Sequence, residues 1–208
     1  MDAQKYVEEM LGTDPELDRV LESIRELGMP EISVAPGYGR MLTMLVQMSK
    51  AKDVLEIGAL GGYSGICLAR GLQGGGSVTS LELLPNFAEA ARSNMEAAGF
   101  GHLVDYRIGD AKGSLAKLAE EGRRFDFFFI DADKEGYPVY LDWALKLANP
   151  GAVIVGDNTL LRGRIYNADK NGPSVVAMRE FNRRMLQDER LRGTLLPGYD
   201  GLTMAVVK

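Results

Sequence analysis

Short apolar runs alternate with amphipathic segments along most of this chain, beginning near residue 53. Runs such as 127–130 are typical of strands buried on both faces, whereas the segments between them repeat apolar residues at helical spacing. This alternation predicts an α/β fold with a mostly parallel, doubly wound sheet. The predicted strands are 53–57, 77–82, 104–108, 125–130, 152–156, 194–196 and 202–207, and the predicted helices between them are 63–71, 85–98, 111–121, 137–147 and 174–189.

Three further helices are predicted before the first strand. Asp2 can cap the first of them, and Asp14 with Pro15 supplies the cap and first turn of a second helix that ends before Gly28. The third covers 37–49. The second helix has an apolar face at positions 17, 20, 21, 24 and 27, which must pack either on the sheet or on another subunit.

Composition narrows the class of protein. The chain has 208 residues, 46% of them hydrophobic and 25% charged, which fits one globular domain with a sizeable core. The polar, acidic N-terminus and the lack of a long apolar run predict neither a signal peptide nor a membrane span, so we expect a cytoplasmic protein. A single cysteine, Cys67, excludes an internal disulfide, and a single histidine, His102, excludes zinc sites of Cys and His. The net charge of −5 disfavours broad nucleic-acid binding.

A glycine-rich turn follows the first predicted strand of the α/β region. The apolar strand 54–57 is followed by Gly58, Gly61 and Gly62, and Ser64 then begins an apolar helix. A strand, a glycine turn and a helix form the geometry that binds phosphates and dinucleotides in open α/β sheets. A nucleotide-type ligand is therefore expected at this turn.

The spacing of the turn argues against NAD and against a phosphate loop. A G-x-G-x-x-G sequence would need glycine where this chain has Leu60 and Tyr63, and no Gly-Lys-Ser/Thr follows. A nucleoside without phosphates, such as S-adenosylmethionine (SAM), does not need that second glycine. Its ribose needs an acceptor, which Glu82 at the end of the next strand can supply. The alternative is a tight strand–helix turn and a solvated strand-end glutamate.

Acidic or amide side chains also end the later strands. Asp131 follows the fourth strand, and Asp157 with Asn158 follows the fifth. Because neighbouring strands lie about 4.8 Å apart, these side chains can converge. Their hard oxygen donors favour Mg²⁺, with Mn²⁺ and Ca²⁺ as further candidates, and disfavour Zn²⁺. The alternative is that the two aspartates only cap the helices that follow.

These features belong to a set of short sequence motifs that extends over nearly the whole chain. The motifs are Ser33-Val34-Ala35-Pro36 with Gly39, Val54-Leu55-Glu56-Ile57-Gly58 with Gly62-Tyr63-Ser64, Leu81-Glu82, Ile130-Asp131-Ala132-Asp133-Lys134 with Tyr137, Gly156-Asp157-Asn158-Thr159-Leu160, and Asp200-Gly201-Leu202. Together they resemble the cation-dependent class I O-methyltransferases, the family of catechol and caffeoyl-CoA O-methyltransferases. The Asp-x-Asp-Lys and Gly-Asp-Asn elements are specific to that family, whereas the glycine turn is not.

The resemblance implies a fold, a cofactor and an assembly. It implies a Rossmann-like methyltransferase fold with seven strands, the last antiparallel. Residues 1–208 would form one domain, in which 1–50 are helices covering the cofactor and acceptor site and 51–208 are the α/β core. Because relatives are commonly dimers, the apolar face of the second helix suggests a homodimer.

The resemblance also implies a role for each site residue. Lys134 would be the general base, and the acceptor would be a small vicinal dihydroxy-aromatic molecule. A lysine after a strand is otherwise more often simply exposed. The implied metal ligands are Asp131, Asp157 and Asn158, and the implied SAM-binding residues are Val34, Glu56, Gly58, Ala59, Gly62, Ser64, Glu82, Leu83, Asp110, Ala111 and Asp131. Of these, Glu56, Gly58 and Ser64 would hold the methionine end, Val34 would close over it, Glu82 would bind the ribose, and Asp110 and Ala111 would border the adenine.

The chain departs from the family pattern near the predicted acceptor pocket. Many relatives have tryptophan in the position where this chain has Leu160 and Leu161, so stacking on a flat ring there is in doubt. Arg162 and Arg164 follow, and they could meet an acidic acceptor or lie in a solvated loop. The polar composition of 159–174 suggests a segment that becomes ordered over a ligand. The arginines after it are typical of an ordinary amphipathic helix.

Two other functions stay open at this point. One keeps the fold and the cofactor but methylates 5-hydroxyuridine in tRNA, as some bacterial relatives do. The other is a SAM-binding protein without catalysis.

Overall fold

The alternation of strands and helices predicted from the sequence is present in the structure, a computed structural model that describes residues 2–208. The strands are β1 (Asp53–Ile57), β2 (Ser77–Glu82), β3 (Val104–Ile108), β4 (Phe125–Ile130), β5 (Ala148–Asp157), β6 (Leu191–Leu196) and β7 (Leu202–Val207). The helices are α1 (Ala3–Leu11), α2 (Pro15–Glu26), α3 (Pro36–Ser49), α4 (Tyr63–Gly71), α5 (Pro85–Ala97), α6 (Ala111–Glu120), α7 (Tyr137–Leu147) and α8 (Pro173–Gln187). Short 3₁₀ turns lie at Gly101–Leu103 and Arg164–Tyr166.

The seven strands form one sheet in the order β3-β2-β1-β4-β5-β7-β6. β2 pairs in parallel with β1 and β3, and β4 pairs in parallel with β5. β7 is antiparallel to both of its neighbours, β5 and β6. The structure therefore confirms the predicted doubly wound α/β sheet with an antiparallel last strand.

Two strands are longer than the sequence pattern predicted. β5 begins at Ala148, before a register shift opposite Phe125 and Phe127, and Asn149 Nδ2 donates to Asp126 Oδ1 (2.7 Å) within the irregular part. β6 begins at Leu191 and includes Gly193, where a Cβ would lie 2.1 Å from the carbonyl oxygen of Met185 in α8. This glycine therefore reflects the close passage of a helix rather than the end of a strand.

The chain divides into two compact units, one up to Ser114 and one from Leu115 onwards. In the first unit, α2 contacts α4 and α5 and buries Leu17, Val20 and Ile24. The apolar face that suggested a homodimer is therefore largely covered within this unit, although Leu27 stays 60% exposed. The homodimer and the single domain both stay predictions.

In the second unit, β4 and α8 supply most of the large buried side chains. Phe127, Phe128 and Phe129 are fully buried, and the ring of Phe181 from α8 meets the ring of Tyr137 edge to face, with centroids 5.0 Å apart. None of the helices formed by residues 2–208 combines the length and the apolar character needed to cross a membrane.

The helix caps predicted at the N-terminus are present and tie α2 to α4. Asp2 accepts from the Lys5 backbone N–H (2.9 Å), and Asp14 accepts from that of Leu17 (3.3 Å). The same Asp14 carboxylate accepts two bonds from the Arg70 guanidinium (2.5 and 3.0 Å). Because of these bonds, above all the one from Arg70, the pKa of Asp14 lies below its usual value.

We predict that Asp14→Asn lowers the free energy of unfolding by about 0.5–1 kcal/mol near pH 7. Asparagine can still cap α2, so the change isolates the ion pair with Arg70. Because the folded-state pKa is lowered, the stabilisation is present above the unfolded-state pKa and is lost as pH falls through the folded-state value. The difference between wild type and variant in urea titrations should therefore shrink in acid. Glu31→Gln, which breaks the exposed Arg25–Glu31 pair, is the control and should have little effect at any pH.

Candidate active site

The turn after β1 is held in shape by a carboxylate from the next strand. Glu82 Oε2 accepts from the backbone N–H groups of Ala59 and Leu60, both at 3.0 Å, and Oε1 accepts from the N–H of Leu84 (3.0 Å). Leu60 has a left-handed φ of 47°, which is uncommon for a non-glycine residue. The bond to Glu82 compensates part of that strain. The sequence suggested only a ribose-binding role for Glu82, and this second role was missed.

Two of the glycines in the turn are required by packing. A Cβ at Gly61 would lie 2.5 Å from Ile24 of α2, and one at Gly62 would lie 3.0 Å from the carbonyl oxygen of Ala91 in α5. Gly62 also has a φ of 87° at the start of α4. The contact with α2 could not be recognised from the local sequence, because Ile24 is far away along the chain.

Glu56 is fully buried next to α4. Its Oε1 accepts from the Ser64 hydroxyl (2.6 Å) and its Oε2 from the Ser80 hydroxyl (2.5 Å). A buried carboxylate needs such hydrogen bonds. Glu56 and Ser64, which were predicted to bind the same end of SAM, are thus bonded to each other. Ser80 was not singled out in the sequence, where it lies inside an ordinary β-rich run.

The other predicted cofactor residues of the first unit are distributed around the ends of its strands. Val34 is buried and lies two residues before the start of α3. Leu83 follows β2 directly and is 64% exposed. Asp110 follows β3 and its Oδ2 accepts from the Gly113 backbone N–H (3.0 Å), so it caps α6, which begins at Ala111. Their binding of SAM stays a prediction.

In the second unit, the ends of β4 and β5 bring four predicted side chains together. The Lys134 ammonium donates to Asp131 Oδ1 (2.8 Å) and to Asn158 Oδ1 (3.1 Å). Asn158 has a left-handed φ of 54°, and its backbone N–H donates to Asp157 Oδ1 (2.7 Å). Lys134 is therefore not a solvated surface lysine, and it lies within hydrogen-bonding distance of Asp131 and Asn158. It is the positive charge at the centre of a group of hard oxygen atoms.

Asp157 is the least compensated member of this cluster. Its side chain is almost completely buried, and burial together with the charge of Asp131 raises its pKa to about 7. The backbone N–H of Asn158 and the Lys134 ammonium oppose this shift without cancelling it. A carboxylate in this state gains from any further positive charge placed beside it.

Tyr137 fixes the spacing of the two strand ends. Its hydroxyl accepts from Lys134 (2.8 Å) and shares its own proton between the carbonyl oxygens of Ile130 (3.0 Å) and Asp157 (2.9 Å). Burial, and the nearby charges of Asp131 and Asp157, raise its pKa well above the usual value. Tyr137 therefore stays protonated and is a structural donor rather than a base.

The alternative reading of the aspartates as helix caps is wrong. α7 begins after Gly136 and α8 after Gly172, and neither helix has a side-chain cap. Within residues 2–208, no cluster of three or more His, Cys, Asp or Glu side chains could hold a metal ion. The predicted set contains only two carboxylates, and its third oxygen is the amide of Asn158.

A buried polar network supports the segment that carries Asn158, and the sequence did not reveal it. The Thr203 hydroxyl of β7 contacts Thr159 Oγ1 (2.8 Å) and Asn182 Oδ1 (2.9 Å), and Asn182 Nδ2 donates to the carbonyl oxygen of Thr159 (2.8 Å). These residues are separated by more than 20 positions in the chain, so no local pattern links them.

Comparison with known proteins gives relatives that match the sequence and the fold over nearly the whole chain. Residues 9–208 match the family model described as O-methyltransferase. The chain is 40% identical over 210 residues to a catechol O-methyltransferase from Niastella koreensis, covering 98% of this chain and 95% of the relative. An O-methyltransferase from Bacillus cereus, solved in complex with SAH, superposes with a TM-score of 0.93 at 43% identity, with 99% and 96% of the two chains covered. An O-methyltransferase from Streptomyces achromogenes in complex with SAM gives 0.91 at 35% identity, with both chains covered completely.

Proposed function

This chain belongs to the O-methyltransferase family, and from that premise we propose that it transfers a methyl group from SAM to one hydroxyl of a small vicinal dihydroxy-aromatic acceptor. One observation carries the choice of acceptor. The side-chain oxygens of Asp131, Asp157 and Asn158 form a cluster with the Lys134 ammonium. Such a cluster suits two adjacent acceptor oxygens. The name of the Niastella koreensis relative and the SAH and SAM in the two solved structures support the proposal.

In this proposal SAM binds at the turn after β1 and at the neighbouring strand ends. An ionised carboxylate can accept about four hydrogen bonds, and Glu82 uses three of them on the backbone, which leaves capacity for a ribose hydroxyl. Ser64, held by Glu56, and the backbone of the turn would hold the methionine end. The residues assigned to SAM are Val34, Glu56, Gly58, Ala59, Gly62, Ser64, Glu82, Leu83, Asp110, Ala111 and Asp131.

The donor set of the second unit fits a divalent cation. Asp131 and Asn158 already direct oxygens onto one cationic nitrogen, and Asp157 is a buried carboxylate short of positive charge. These three side chains would hold the ion, and their oxygen chemistry favours Mg²⁺ over Zn²⁺. A bound cation would lower the pKa of an acceptor hydroxyl and orient both acceptor oxygens.

Lys134 is the proposed proton acceptor. Its amine lies among the oxygens that would surround the acceptor hydroxyls, and Tyr137 limits its position. Once the Lys134 ammonium has released one proton to solvent, the neutral amine can take the acceptor's hydroxyl proton and leave an oxygen nucleophile for the methyl carbon of SAM. The bond to the methyl carbon then forms as the bond from sulfur breaks, which releases SAH.

A homodimer and a cytoplasmic location complete the proposal. Both rest on the sequence alone. The surface that could serve a dimer is α1, which buries no residue and exposes Tyr6, Val7 and Met10.

The acceptor class is tested by a screen with labelled SAM over catechols, caffeoyl esters, simple phenols and bulk tRNA. We expect methylation of catechols and little or none of monophenols, because a single hydroxyl cannot be held in a fixed direction by the cluster. Equal rates on catechol and phenol would contradict the two-oxygen acceptor. Methylation of tRNA would favour the nucleic-acid substrate. SAM binding without any methyl transfer would favour a SAM-binding protein without catalysis.

Asp157→Asn should separate the stability of the cation-free protein from its activity. Removing a buried charge that faces Asp131 should raise the free energy of unfolding at pH 8 by about 1 kcal/mol or more. This gain should diminish towards pH 4, because a raised carboxyl pKa makes the wild type lose stability as pH rises towards 7. Turnover with Mg²⁺ should fall by about 100-fold or more, as it should for wild type in excess EDTA.

SAM affinity measured by calorimetry should survive both the substitution and EDTA. Asp105→Asn, at an exposed aspartate, is the control and should change neither stability nor turnover appreciably. Full activity of the wild type in excess EDTA would rule out the cation.

Lys134→Met should reduce kcat by about 10²- to 10⁴-fold and leave SAM affinity nearly unchanged, because the amine acts on the acceptor proton. The wild-type rate should rise with pH, and that rise should flatten in the variant. Lys117→Met, at an exposed lysine of α6, is the matched control. A Lys134→Met enzyme within a few-fold of wild type would assign the lysine a purely electrostatic role beside Asp131.

A further inference from the structure

The loop between β5 and α8, residues 158–172, is fixed near its beginning by the segment before β7. The backbone N–H groups of Thr159 and Leu160 donate to the carbonyl oxygens of Gly201 (3.1 Å) and Asp200 (2.9 Å). The N–H of Arg162 donates to Asp200 Oδ1 (2.5 Å). These bonds hold the loop through a run of left-handed residues at 161, 162 and 163.

One guanidinium from α8 fixes the far half of the β5–α8 loop. Arg179 Nε donates to the carbonyl oxygen of Ile165 (2.6 Å), and Nη2 donates to that of Asn167 (2.7 Å). Nη1 donates to Asn171 Oδ1 (2.8 Å), and Nη2 also lies 3.5 Å from the carbonyl oxygen of Arg164. A single planar group thus contacts four positions along the loop, which a lysine ammonium could not reproduce.

Polar contacts hold this part of the loop in place, because almost none of its side chains is buried. Among the described residues 160–171, only Leu161 is buried. Arg179 itself stands on a helix anchored by Val175, Met178 and Phe181. The loop is therefore tied at both ends by hydrogen bonds within the protein, and its ordering over a ligand stays a prediction.

We propose that Arg179 is a positioning residue that holds the β5–α8 loop in its acceptor-binding conformation before the acceptor arrives. The loop begins at Asn158 and presents the ring of Tyr166, which is 76% exposed and whose hydroxyl would lie 2.7 Å from a Cβ at Gly163. An aromatic acceptor then meets a preformed surface, and binding does not have to order the loop. The part of this inference that concerns the acceptor rests on the proposed function.

The order of the loop is tested first without any measurement of activity. Trypsin can cut the loop after Arg162, Arg164 and Lys170, and it cuts locally mobile segments much faster than fixed ones. Arg179→Lys, which keeps the charge and the trypsin site, should speed cleavage in the loop by about tenfold or more. Arg183→Lys is the matched control on the same helix, because Arg183 is exposed and bonds Glu180 one turn away rather than the loop, and it should behave as wild type.

A second variant distinguishes loss of the Arg179–loop hydrogen bonds, here called the Arg179 clamp, from loss of the fold. Asn171→Ala removes one bond of Arg179 at an exposed loop residue, so it should speed loop cleavage by a smaller factor without changing the thermal midpoint. Unchanged cleavage in both Arg179→Lys and Asn171→Ala would overturn the proposal.

Kinetics then test whether the loop serves the acceptor. Arg179→Lys should raise the KM for a catechol by about tenfold, with a smaller change in kcat and no change in the Kd of SAM, since only a fraction of molecules then holds the competent loop. A residue with a merely structural role would lower kcat through the active fraction and leave KM unchanged. Faster cleavage with an unchanged KM would therefore overturn the positioning role. If the wild type methylates no acceptor, the proposed function fails, while the cleavage result still reports on the clamp.

Discussion

Buried carboxylates at the carboxyl ends of the strands are the constraint on which the structure around those strand ends depends in each of the two units. Glu56 is compensated by two serine hydroxyls, and Glu82 by three backbone N–H groups. Asp157 receives one backbone N–H and faces Asp131, and its pKa is raised to about 7. Glu56 and Glu82 are compensated by hydrogen bonds from the residues around them. The negative charge of Asp157 is only partly compensated. The three carboxylates therefore differ in how far the protein itself compensates their charge.

Local sequence was sufficient to predict the structure wherever a segment determines its own conformation. The starts of α1 and α2 follow from Asp2, Asp14 and Pro15, and the convergence of Asp131 with Asn158 follows from parallel strands ending at one edge. The packing roles that the sequence did not reveal depend on a partner in another element. The glycine at 61 is required by Ile24, and the one at 193 by the backbone of α8. Neither partner leaves a trace in the sequence around the glycine.

The arginines of α8 show the same limit more sharply. In sequence they form one amphipathic pattern, and the prediction of an ordinary surface helix treats them alike. In the structure Arg183 pairs with Glu180 one turn away, Arg184 bonds the carbonyl oxygen of Pro138 and the Asp142 carboxylate, and Arg179 bonds a loop that precedes the helix. Bonds of Arg179 to carbonyl oxygens carry no sequence signature, because every residue type offers the same acceptor.

The Lys134 ammonium connects the cation-free protein with the proposed reaction. All three of its donors are used, on Asp131, Tyr137 and Asn158, so it now acts as the counter-charge of the cluster. Under the proposed function, Asp131 and Asn158 would hold a divalent ion instead, and the lysine would lose two of its three hydrogen-bond acceptors. The same exchange would supply positive charge to Asp157, and the lysine, after releasing one proton to solvent, could take the proton of the acceptor. Under that proposal, charge compensation and general-base action would be successive roles of one side chain, which would account for a base placed beside Asp131 and Asp157.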